Sequence, residues 1–359
     1  MDPIDLIRNR RISGISALVS PREVCERFPL SDNDEQLVRE SRGTVARILD
    51  RLDDRLLVVV GPCSVHDPSA ALEYAHRLSA VASRLNDRLF VVMRVYFEKP
   101  RTTLGWRGLI NDPALDGSNR VNDGLTAARE LLVSILSIGL PVGCEFLDPI
   151  TPQYIADAVS WGAIGARTTQ SQIHRQLASG LSMPIGFKNS TDGGVQGAID
   201  ALCAAGSPQV FPGITYEGQV AVCSTSGNPD CHVVLRGGET GPNYDANTIA
   251  DLLARLDLSG LAPRVVVDAS QGNSGKDHSR QSVVARDVAR RIAGGESGIV
   301  GLMLESFLVE GRQNLVLGQS SSLTYGQSIT DACLGWDSTV ELLEELAVAT
   351  GERRSLVKV

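Results

Sequence analysis

Residues 56–94 read LLVVVGPCSVHDPSAALEYAHRLSAVASRLNDRLFVVMR. An unbroken apolar run, 56–60, leads into Gly61-Pro62-Cys63, and after a short polar link residues 68–85 carry apolar side chains at helical spacing. A second apolar run, 89–94, ends on Arg94. Runs that are apolar throughout, without alternation, suit strands buried on both faces of a parallel sheet. The stretch therefore reads as strand, crossover helix, strand, with a polar group at the end of each strand.

The unit recurs along the chain. Further β-type runs lie at 141–146, 162–166, 183–187, 231–236, 264–268 and 299–305. Amphipathic stretches at 124–138, 151–160, 171–179, 192–205, 246–256, 278–293 and 339–349 separate or follow them. Eight strands, each followed by a helix, predict an α/β fold, a (β/α)8 TIM barrel. A doubly wound open sheet is the competing arrangement. Two short β-like pieces within 209–223 have no helix between them and predict an inserted β-hairpin. Residues 1–50 are polar, with a helix expected over 34–49, and read as an N-terminal extension with a regulatory or subunit-contact role. Residues 51–359 form the barrel proper.

Composition narrows the function classes. The chain has 359 residues and a formal net charge of −8, which argues against non-specific nucleic-acid binding. No apolar run approaches the roughly 18–20 residues that span a bilayer, and the N-terminus lacks the apolar core of a signal peptide. Seven scattered cysteines without a CxxC pair fit reduced thiols, so a cytoplasmic location is expected.

Active sites of barrels sit at the C-terminal ends of their strands. Here those ends carry Cys63, Arg94, Glu145, Arg167, Lys188, Arg236, Asp268 and Glu305. The loop after the second strand adds Lys99 and Arg101. So many cations at one mouth are costly to bury without an anion, which implies a small ligand bearing phosphate and carboxylate groups. Local pairing with Glu98, Asp148 or Asp192 is the alternative. Cys63, Glu305 and Asp331 fall in loops at the same mouth, and a thiolate with two carboxylates suits a borderline divalent cation. His66 reads as a structural hydrogen-bonding group, and His174 as a surface or capping residue.

The motifs GPCSVHDP, RVYFEKPRTT, GARTTQSQIHRQLASGLSMPIGFKNSTDG, HVVLRGG and SITDACLGW resemble those of type I 3-deoxy-D-arabino-heptulosonate 7-phosphate (DAHP) synthases over nearly the whole chain. The resemblance implies condensation of phosphoenolpyruvate with erythrose 4-phosphate, release of phosphate, and a divalent metal (Mn, Co, Fe or Zn). By motif, Arg94, Lys99, Arg167, Lys188 and Arg236 match the phosphoenolpyruvate site. Arg101 and Thr102 match the acceptor's phosphate site, and Glu145 the carboxylate beside the attacking water. Cys63, Glu305 and Asp331 match three metal ligands. The fourth departs: where the family pattern has Asp-x-Ser-His, this chain reads Asp268-Ala269-Ser270-Gln271, so weaker metal binding is expected. Asn9 and Ser182 match an effector site, with tyrosine the expected inhibitor, and a homo-oligomer (dimer or tetramer) is expected. Two other readings stay open here: a related aldolase with a different aldose phosphate, and a silent member acting as ligand sensor or pathway partner.

Overall fold

A computed structural model describes residues 9–101 and 103–357. Eight parallel strands close into a barrel: β1 (Leu56–Gly61), β2 (Leu89–Arg94), β3 (Val142–Glu145), β4 (Trp161–Ile164), β5 (Ile185–Lys188), β8 (His232–Leu235), β9 (Val265–Asp268) and β10 (Ile299–Glu305). β1 pairs with both β2 and β10, so the sheet has no edge. Closure excludes the open-sheet alternative. The strands are buried nearly throughout because helices cover them outside and side chains fill them inside.

The crossover helices are α3 (Pro68–Arg84), α4 (Val121–Ser137), α5 (Pro152–Ile155), α6 (Gln172–Gly180), α7 (Gln196–Ala205), α8 (Ala246–Leu258), α9 (Gln281–Ala293) and α10 (Trp336–Val357). The expected hairpin is β6 (Val210–Ile214) against β7 (Val220–Ser224), antiparallel and outside the barrel. The largest changes of extent fall on three expected helices. The 151–160 stretch gives only the short α5 and a 3-10 turn, α7 starts at Gln196 after the 190–194 turn, and α10 runs past the expected 339–349.

The N-terminal stretch holds two helices, α1 (Pro21–Arg27) and α2 (Asp32–Leu49). Both start at a serine capping box, Ser20 with Glu23 and Ser31 with Asp34. Val45, Ile48 and Leu49 of α2 pack in one cluster with Leu57, Val59, Val92, Trp161, Val234 and Val266, the inward-facing residues of the barrel strands. The helix thus seals the end of the barrel opposite the polar mouth. The loop after β10 carries a further parallel pair, β11 (Val309–Arg312) and β12 (Gln327–Ser328). Among the described residues no helix is long and apolar enough to cross a membrane.

Candidate active site

Lys99, Arg101, Arg94, Glu145, Arg167, Lys188, Arg236, Gln271 and Asp331 line one cleft of about 890 Å³ at the C-terminal mouth. Thr102 lies outside the described residues. The cleft also receives Glu239, Lys276 and Arg280, which the sequence reading passed over because they stand several residues beyond the strand ends.

Lys188 and Arg94 are each fixed at the end of a strand. Lys188 closes β5 and its Nζ donates to Asp268 Oδ2 at 2.7 Å. Burial works against the Asp268 carboxylate, but Lys188 and Arg94 outweigh it and hold the group down at about 2. Arg94, at the end of β2, donates to the Pro62 and Cys63 carbonyls and to Glu305 Oε1 (3.0 Å). It braces the floor of the cleft as well as lining it. The partners of Lys188 and Arg94 are therefore Asp268 and Glu305, not the carboxylates that the local-pairing alternative named. Glu98 instead accepts from Thr151 Oγ1 (3.0 Å), and Asp192 from Ser190.

Arg236 follows β8, and asparagines hold its backbone. Its N–H donates to Asn189 Oδ1 (2.8 Å), Asn243 Nδ2 donates to the same oxygen, and the Gly237 N–H donates to Asn243 Oδ1. Gly237 (φ 71°) permits the turn, where an added Cβ would lie 2.4 Å from the Asn273 nitrogen. Burial lowers the Arg236 guanidinium from its usual value, against the pull of Asp268. These asparagines escaped the sequence reading; Asn189 had a signal, standing directly after the charged strand end Lys188, whereas Asn243 sits in the loop well beyond β8 and had none.

Glu145, at the end of β3, packs against Gly165, where an added Cβ would lie 2.2 Å from its Oε1. His174 is buried, its ring bonded to Ser171 Oγ (2.9 Å) and the Leu147 carbonyl (2.7 Å), so it ties the β3 and β4 loops and is not a surface residue. His66 departs from expectation the other way: its Nδ1 is buried with no hydrogen-bond partner among the described residues.

Beneath the cations lie Cys63, Glu305 and Asp331, whose ligand atoms all fall within 4.8 Å of one another. Burial, reinforced by Glu305, pushes the Cys63 thiol up to about 12, while the thiol sulfur lies 3.1 Å from Lys99 Nζ. Burial raises the Glu305 carboxyl above its usual range despite Arg94. One soft donor and two carboxylates at this spacing fit a borderline divalent cation. Gln271 meets the set differently from the expected fourth ligand: its amide nitrogen faces Glu305 (3.4 Å) and Asp331 (3.3 Å), and its oxygen accepts from Arg236. Lys99 lies against the same set, its Nζ donating to Cys63 Sγ. Burial lowers its ammonium, but Cys63 and Glu305 outweigh burial and raise it above its usual value.

A second cleft, of about 410 Å³, lies at the other end of the barrel and is lined by residues 179–183 and 224–230, Ser182 included. Asn9 is not among the described residues that line it; it is exposed in the N-terminal arm.

A closed parallel barrel whose cationic mouth suits phosphorylated ligands, beside a thiol-carboxylate triad that could hold a divalent cation, places the chain in the class of TIM-barrel enzymes. The sequence profile described as the DAHP synthetase I family matches residues 32–344. The chain belongs to that family. It is 55% identical over 344 residues to the Phe-sensitive phospho-2-dehydro-3-deoxyheptonate aldolase of Escherichia coli (strain K12), covering 96% of this chain and 97% of that one. It is 51% identical over 342 residues to the Tyr-sensitive enzyme of Salmonella typhimurium, covering 95% and 96%. The solved phospho-2-dehydro-3-deoxyheptonate aldolase of Francisella tularensis SCHU S4 superposes with a TM-score of 0.93 at 47% identity, over 96% of this chain and all of that one.

Proposed function

We propose that this chain catalyses the DAHP synthase reaction, the condensation of phosphoenolpyruvate with erythrose 4-phosphate that releases phosphate and opens the shikimate pathway. The observation that carries the reading is the convergence of Arg101, Arg167, Lys188 and Arg236 on one cleft above the Cys63, Glu305 and Asp331 triad.

In this reading Arg167, Lys188 and Arg236 hold the phosphate of phosphoenolpyruvate through charge-assisted hydrogen bonds. Arg101 and Thr102 hold the phosphate of the acceptor, so that C3 of the enol faces the aldehyde carbon. Positioning both reactants this way removes several kcal/mol or more from the barrier. A divalent cation on Cys63, Glu305 and Asp331 would supply Lewis-acid polarisation of the aldehyde oxygen. Lys99, held protonated among anions, donates a proton to the oxygen that becomes the new hydroxyl. Glu145 orients the water that adds at C2. The C2–O bond to the phosphate group then breaks as the added hydroxyl passes its proton to the leaving phosphate and becomes the C2 carbonyl, leaving the keto acid and inorganic phosphate.

Phosphate release measured with each substrate alone and with both tests the reading. Release should require both substrates; release from phosphoenolpyruvate alone at the same rate overturns it.

Regulation is a second element of the proposal. The cleft containing Ser182 is the effector site, with tyrosine as inhibitor, resting on the resemblance of residues 9–12 and 218–221 to the tyrosine-sensitive branch. Overall identity does not single tyrosine out, since the relatives include a Phe-sensitive enzyme at 55% and Tyr-sensitive ones at 51% and 50%. A rate unchanged by millimolar tyrosine, phenylalanine or tryptophan removes this part. A homo-oligomer fits the exposed apolar residues Ile12, Ile15, Val220 and Val222 on the arm and hairpin.

A further inference from the structure

Gln271 joins two subsites that the mechanism treats separately. Its Oε1 accepts from Arg236 Nη2 at 3.1 Å, and its Nε2 faces Glu305 Oε1 at 3.4 Å and Asp331 Oδ2 at 3.3 Å. The backbone beneath is fixed: φ is 56°, and the Gln271 carbonyl accepts from the Lys276 N–H at 2.7 Å. Only the side chain has freedom to change.

Charge dictates which way the amide faces. Turned over, it would press its oxygen against two carboxylates and its NH2 against a guanidinium, and both contacts are unfavourable. A divalent cation among Cys63, Glu305 and Asp331 reverses the first preference, because a cation takes the amide oxygen and not the NH2. It leaves the second in place, since the turned amide still sets donor against donor at Arg236. That conflict disappears when Arg236 has another acceptor, such as a phosphate dianion in the cleft it lines.

We propose that Gln271 is a two-position amide that couples cation binding at the triad to phosphate-dianion binding at Arg236. Each ligand favours the turned amide, so each tightens the other, and linkage makes the effect reciprocal. The coupling rests on the proposed reading of the cleft and goes beyond it. It belongs to this chain's glutamine, because a side chain without an amide has no pair of opposed ends to exchange between the subsites.

The test is calorimetric titration of Mn²⁺ into the full chain, the Gln271→Ala variant and the Gln271→His variant. Each is measured with and without phosphoenolpyruvate, and with no aldehyde present, so no turnover enters. Direct attraction between bound dianion and bound cation acts in all three proteins, so the quantity compared is the gain in Mn²⁺ affinity. The gain should be about fivefold or more larger in the wild type than in either variant. Phosphoenolpyruvate titrated with and without Mn²⁺ should show the same factor in reverse. Equal gains in all three proteins, with both ligands bound, overturn the coupling and leave the substrate reading standing. If phosphoenolpyruvate binds none of them, or Mn²⁺ binds none of them, the coupling falls together with the substrate site or the cation site respectively.

Discussion

Glu98 immediately precedes Lys99, is buried, and is held by Thr151. Burial pushes its carboxyl up to about 8, against the Thr151 hydrogen bond and with help from Asp148. Because the folded value lies above the ordinary one near 4.5, the folded chain keeps a proton that the unfolded chain has released. The contribution of Glu98 to stability is therefore full below about 4.5, is lost as pH rises, and is flat above about 8. Glu98→Gln should weaken the decline of Tm between those limits, measured by thermal scans at pH 5, 6, 7 and 8. An unchanged slope would show that Glu98 ionises freely. No sequence pattern announces such a group, because its environment comes from the β3 loop, some fifty residues away. The same is true of Gln271: its departure from the family pattern was legible, but which end of the amide meets the carboxylates was not.

Helix α2 supports the barrel from the end opposite the site. Its Val45, Ile48 and Leu49 fill the closed end of the barrel, and its C-terminal flank is tied down by an ion pair between Asp50 and Arg264. Ile48→Ala should cost about 2–5 kcal/mol of unfolding free energy through the cavity it leaves. Chemical denaturation checks this, and a loss under 1 kcal/mol would mean α2 lies loosely against the strands. The strands were legible as elements because burial on both faces writes an unbroken apolar run. Most helices were legible from their spacing. The short α1 and the β11–β12 pair were not, and α5 was legible only as part of a longer expected stretch: it is a single turn of four residues, and β12 holds two. Elements that short are set by the surface they lie on, not by their own pattern.

Across the whole molecule, barrel topology converts residues scattered from 63 to 331 into one mouth. The strand-end residues were legible because the fold places every strand's C-terminal end on the same side. Their pairing was not, since Lys188 with Asp268 and Arg94 with Glu305 join strands far apart in sequence. In the proposed reading Arg167 and Arg101, both lining this mouth, hold two different phosphates. Arg167 and Arg101 are both exposed at the cleft, so replacing either leaves the core intact. Steady-state kinetics of Arg167→Ala and Arg101→Ala, with each substrate varied in turn, test the claim directly. Losing a charge-assisted phosphate contact is worth about tenfold or more. Arg167→Ala should raise KM for phosphoenolpyruvate by about that factor, and Arg101→Ala should do so for erythrose 4-phosphate, each sparing the other substrate. Both variants within twofold of wild type for both substrates, or the two effects exchanged, would contradict the account.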